Sequence, residues 1–82
     1  MMEPIEIARR IEKGLPGAVA DVKGADNHYS ARIVSAQFEG KTRIEQHRMI
    51  YDLFREEMAS QEIHALALKT LTPAQAQDES NR

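Results

Sequence analysis

Apolar residues near the start of the chain recur at Ile5, Ala8, Ile11 and Leu15, steps of three, three and four that mark one face of a helix. Pro4 suits a first helical position, where its missing N–H costs nothing. Gly14-Leu15-Pro16-Gly17 ends the pattern, since Pro16 cannot continue a helical hydrogen-bond ladder. The valine-bearing stretch Ala18 to Lys23 reads as a strand, and Gly24-Ala25-Asp26-Asn27 as a four-residue turn. From His28 to Ala36 the pattern alternates, with Tyr29, Ala31 and Ile33 on one face and Ser30 and Arg32 on the other, so a second strand closes a hairpin. Phe38 to Lys41 forms a loop. Thr42 and Glu45 then make a capping box, followed by His47, Ile50, Tyr51, Phe54 and Met58 on one stripe, which predicts a helix from Thr42 to Met58. Ala59 to Glu62 connects it to a last strand, Ile63 to Thr70, and Thr72-Pro73 opens a brief terminal turn. The order is α-β-β-α-β. It predicts a single small α+β domain over residues 1–75, a three-stranded mixed sheet covered by helices on one face, and a disordered tail over residues 76–82.

Composition narrows the function. A chain of 82 residues builds only a modest core. No apolar run approaches the roughly 18 residues of a membrane span, and MMEPIEIARR lacks the apolar heart of a signal peptide, so a soluble, cytoplasmic protein, monomeric when free, is expected. Acids outnumber bases, 13 to 11, for a net charge of −2, which does not favour non-specific binding to phosphate backbones. There is no cysteine, so thiolate catalysis, thiolate ligation and disulfides cannot come from this chain.

No Ser-His-Asp pattern, phosphate-cradling glycine loop or metalloprotease helix appears, and no small-molecule substrate site is expected. Glu56-Glu57 and Asp78-Glu79 read as solvated acids, because sequence neighbours diverge on a helix. An enzyme is not expected. Gly14-Leu15-Pro16-Gly17 matches the G-x-x-G of KH domains, but it joins a helix to a strand and holds a proline, so a turn is the better reading. Three histidines remain. His47 lies on the apolar stripe and reads as structural. His28, at the hairpin loop, is as readily an exposed turn residue as a functional one. His64 opens the last strand on the face of Leu66 and Leu68, where pattern alone favours packing against the core edge.

A resemblance changes that balance. The segments FEGKTRIEQHRMIYDLF and EIHALALKTLTPAQ, with SARIVSAQFEG before them, resemble the BolA family, with its F-x-G-x-x-x-x-x-R/Q-H-R-x-x-Y core and its I-H-A-L/F-x-x-K-T-x-T-P run, over most of Ile5 to Gln75. The resemblance implies a class II KH-like fold without a functional G-x-x-G. It also implies a monothiol glutaredoxin partner and a bridging [2Fe–2S] cluster shared with that protein and glutathione. The family's ligand in the I-H-A motif falls on His64, and its second ligand, from the loop between the first two strands, on His28. That loop is short here, and His28 abuts the strand where family members with longer loops place the ligand earlier. A cysteine-free chain can supply only the imidazole half of such a site, as in Rieske centres. A DNA-binding regulator of the same family is the alternative, with Arg9, Arg10, Lys13, Lys41, Arg43 and Arg48 as candidate phosphate contacts.

Overall fold

The computed structural model describes residues 2–82. Its elements run α1 (Pro4–Gly14), β1 (Val19–Ala25), β2 (His28–Val34), a 3-10 turn (Ala36–Phe38), α2 (Arg43–Leu53), α3 (Arg55–Ala59), β3 (Ala65–Leu71) and α4 (Pro73–Ser80). The sheet order is β1-β2-β3, with β1 and β2 antiparallel and β2 and β3 parallel. This is the small α+β fold with a mixed sheet that the pattern predicts. Tyr29, Ala31 and Ile33 of β2 are buried as the alternation requires, and they meet Ile7 and Ile11 of α1 and Ile50 of α2 in one core cluster.

Four details differ from the sequence reading, each for a physical reason. In α1 the buried stripe is Ile7, Ala8 and Ile11, and Ile5 is 58% exposed. At 100° per residue, two steps of three leave Ile5 about 120° round the helix from Ile11. The long second helix is broken at Phe54, whose φ of −123° and ψ of 25° leave the helical region. That break lets the Phe54 ring enter the core with no exposed surface, while Arg10 stacks 5.2 Å from its centroid and donates to the freed Leu53 carbonyl. Arg10 also pairs with Glu57 at 2.6 Å, which holds that carboxyl below its ordinary range.

The polar residue inside α2 is Gln46, not His47. Gln46 is 7% exposed, and His47 stands half-buried beside the stripe. The Gln46 amide donates to the carbonyls of Phe38 and Lys41, both at 3.1 Å, and its Oε1 accepts from the Thr70 hydroxyl at 2.6 Å. One side chain thus ties the loop before α2 to β3.

The last difference is α4. A disordered tail was expected over residues 76–82, yet helix continues to Ser80 behind a capping box of Thr72 and Gln75. It also stands on the other side of the sheet. Arg32 and Lys69 alternate with the core residues of their strands, and both pair with Glu79 at 2.7 Å. These two cations hold the Glu79 carboxyl down to about 2.

Two outcomes are expected. Thr70→Val leaves the Gln46 oxygen without its donor, and a loss of about 1–3 kcal/mol in denaturant unfolding is expected. Because the Glu79 carboxyl is depressed from 4.5 to about 2, its hold on α4 is complete above pH 4.5, weakens as pH falls, and is gone below about 2. Amide chemical shifts of α4 in an acid titration should follow that course in the wild type and show none of it in Glu79→Gln.

Candidate functional site

The β1–β2 connection is tighter than the expected four residues. Ala25 pairs with His28 across the ladder, leaving a two-residue loop, Asp26-Asn27. Both loop residues have positive φ, 54° and 65°, the pairing of a type I′ turn that follows the twist of a hairpin. Asp and Asn tolerate this left-handed region better than other side-chain-bearing residues. Gly24 precedes the turn with φ of 146°, and a Cβ there would stand 2.3 Å from the His28 carbonyl oxygen. Only glycine lets the strands close at this point.

Each carbonyl of the turn then fixes a histidine. The Asp26 carbonyl oxygen lies 2.8 Å from His28 Nδ1. A carbonyl only accepts, so Nδ1 carries a proton, and in the neutral ring the lone pair lies on Nε2. The Asn27 carbonyl accepts from the N–H of His64 at 2.8 Å and of Ala65 at 3.1 Å. Asn27 works through its main chain here, since its side-chain Oδ1 is buried with no hydrogen-bond partner.

Core anchors decide where the rings go. Ile63 is 1% exposed and its N–H donates to Glu57 at 3.0 Å, so the next residue, His64, turns outward just ahead of β3. Tyr29 is 4% exposed and turns His28 outward in the same way. The Tyr29 hydroxyl donates to the Met2 carbonyl, and burial, reinforced by Glu3, Glu62 and Glu6, pushes its pKa up and keeps it a donor. Pattern reading put His64 inside the strand, packed at the core edge; it is instead exposed, and stands against His28.

The two rings lie with centroids 5.0 Å apart and planes inclined by 49°. An imidazole bound at roughly 2.0–2.1 Å has its centre about 3.2 Å from the metal, so two on one tetrahedral ion stand about 5 Å apart. The spacing of the pair matches that of two imidazoles on one metal. Among the described residues no three His, Asp or Glu side chains come together as a metal site, so no third such side chain joins His28 and His64. His47 is elsewhere, lining a groove with Lys41, Arg43, Lys69 and Gln75. Gly14 to Gly17 is a turn closed by the Ala18 N–H on the Leu15 carbonyl, 2.9 Å, between α1 and β1. Sequence reasoning missed the turn carbonyls that orient the histidines, although Asp-Asn between two alternating runs is a two-residue hairpin signal.

Comparison with known proteins places the fold. A sequence model of the family described as BolA-like protein matches residues 8–75. The chain is 34% identical over 79 residues to SufE-like protein 1, chloroplastic/mitochondrial, of Arabidopsis thaliana, covering 90% of this chain and 21% of that protein. It is 40% identical over 60 residues to the DNA-binding transcriptional regulator BolA of Haemophilus influenzae, covering 71% of this chain and 57% of that one. The chain thus spans well under two thirds of both relatives. A solved bolA protein homologue from Coxiella burnetii superposes over the full length of both chains with a TM-score of 0.78 at 34% identity. No helix among the described residues is long and apolar enough to cross a membrane.

Asn27→Gly keeps the left-handed turn and both carbonyls, so unchanged stability and an unchanged His28 tautomer are expected in long-range ¹⁵N–¹H spectra. Asn27→Val should cost about 1–2 kcal/mol in denaturant unfolding, because a β-branched residue is strained at positive φ. It should also erase the contacts between the two rings.

Proposed function

The chain belongs to the BolA family, and from that premise we propose that it is a non-enzymatic iron–sulfur adaptor. It binds a monothiol glutaredoxin and, with glutathione, co-ligates a bridging [2Fe–2S] cluster through His64 and His28. Its work lies in iron sensing or in cluster trafficking and maturation. The 5.0 Å approach of the two exposed imidazoles is the observation that carries this reading.

The donor set supports it. Such a cluster takes four terminal ligands, and imidazole can replace thiolate on one iron. A chain without cysteine contributes two imidazoles and leaves two thiolates to its partners. When bound, the cluster supplies one-electron chemistry at a potential that imidazole ligation raises. The protein's own part is to orient the His28 ring through the Asp26 carbonyl, so that Nε2 is the ligating nitrogen of the neutral ring, and to fix the start of β3 through Asn27. A solved structure bears the description BolA domain of SufE1 from Arabidopsis thaliana; a domain carried inside a larger protein suits an adaptor module.

A DNA-binding transcriptional regulator is the second reading, favoured by the cationic groove of Lys41, Arg43 and Lys69 at the start of α2. Visible absorption and circular dichroism of the chain reconstituted with monothiol glutaredoxin, glutathione and cluster separate the two. The mixture is expected to differ from the glutaredoxin homodimer, and His64→Ala to remove that difference. A spectrum indifferent to His64→Ala overturns the ligand assignment. Sequence-selective DNA binding at physiological salt, lost in Lys41→Gln/Arg43→Gln, would establish the second reading in its place.

A further inference from the structure

The face of the sheet turned away from the core can be mapped from the strand register. Across the three strands its rows are Ala25–His28–Ala65, Lys23–Ser30–Ala67, Asp21–Arg32–Lys69 and Val19–Val34–Leu71. The helices α1 and α2 pack on the opposite face, and α4 reaches this one through Glu79. Its middle is a shallow depression with Lys23, Arg32, Lys69 and one acid, Asp21, around a floor of Ser30 and Ala67. The depression lies one row from His28.

This face already holds a carboxylate. Glu79 Oε1 accepts from Arg32 and Oε2 accepts from Lys69, each at 2.7 Å, so one carboxylate bridges two cations on neighbouring strands. The helix that delivers it is weakly held. It has 8 residues and buries none of them. A helix that short does not persist in water unless something holds it. Exposed ion pairs are individually weak, so a competing carboxylate meets little resistance.

We propose that this face is a docking surface for an acidic peptide segment of a partner protein, with Glu79 as a latch in cis that the partner's carboxylate displaces. Small side chains on the floor let an extended backbone approach the sheet. Same-side residues of an extended strand repeat at about 6.8 Å, which is also the step from the Lys23 row to the Arg32 row. Two alternate carboxylates can therefore meet Lys23 and the Arg32–Lys69 pair together. Asp21 also lines the depression, in the Arg32 row, so a ligand here must carry its negative charges singly and spaced, as alternate carboxylates do and the unbroken charge of a polyphosphate chain does not. The inference does not require the histidines to hold a metal.

The test titrates an acetylated, amidated hexapeptide of alternating glutamate and alanine into the full ¹⁵N-labelled chain, followed by amide chemical shifts. Shifts are expected at Lys23, Ser30, Ala67 and Lys69, together with release of α4. Glu79→Gln should bind about tenfold tighter, the factor removed with a latch closed roughly 90% of the time. Arg32→Gln/Lys69→Gln should lose binding while keeping a folded spectrum. Equal affinity for wild type and Glu79→Gln overturns the latch. Shifts confined to Lys41 and Arg43, or tighter binding at this face by a single-stranded oligonucleotide of equal length, overturns the acidic-peptide assignment.

Discussion

The Asn27 carbonyl accepts hydrogen bonds from the first two N–H groups of the segment entering β3, those of His64 and Ala65. That small junction fastens the tip of the hairpin to the start of a strand that arrives from 37 positions further along the chain. It sets the parallel register in which His28 faces Ala65, and with it Tyr29 facing Leu66 and Ile33 facing Thr70. In a sheet with one buried face, a slip of one residue would turn all of β3 inside out. Leu66 would leave the core and Lys69 would enter it. The junction exists because Asp26 and Asn27 accept a left-handed turn and because Gly24 leaves room for the strands to close.

The same junction explains how a modest chain can present the two imidazoles proposed as ligands. Metal ligands are useful when their positions are fixed before the partner arrives, since ordering them afterwards costs affinity. Here the ordering comes from the fold itself. Ile63 and Tyr29 are driven into the core by their apolar surface, and the residue next to each is turned outward as a consequence. The turn carbonyls complete the arrangement without any further side chain. Half a site, oriented by the fold, is what the proposed adaptor role requires.

Much of this was legible in the sequence, and what was not has specific causes. The Thr42–Glu45 capping box and the alternation of Tyr29, Ala31 and Ile33 are local signals, and the structure contains both. The choice of Ile7 over Ile5 turns on a phase drift that accumulates over two steps and that counting spacings conceals. Phe54 carries an apolar signal wherever its backbone goes, so the break in the helix depends on Arg10, which lies 44 positions earlier and caps the freed Leu53 carbonyl. Gln46 looks like a surface residue until Thr70, Phe38 and Lys41 are seen to surround it. The candidate site shows both limits. The family motif singled out His28 and His64, but their approach depends on a tertiary contact between a turn and a later strand. Composition likewise gave α4 no support, because its anchor is a single acid meeting two distant cations.

The two faces of the sheet divide the burial unevenly. The buried apolar residues of α1 and α2 are committed to one face, since a chain of this size cannot build a core on both. On the other face only the last row carries a large apolar residue that must be hidden, Leu71, and it is 8% exposed although it lies outside the main core cluster. A short helix beginning two residues later suffices to cover it. Ala25, Ser30, Ala65 and Ala67, towards the histidine end, lose little by standing in water and need no cover. The gradient from small residues at the histidines to Leu71 at the far end therefore determines how much of the face α4 occupies. It leaves the half beside His28 and His64 open to a partner.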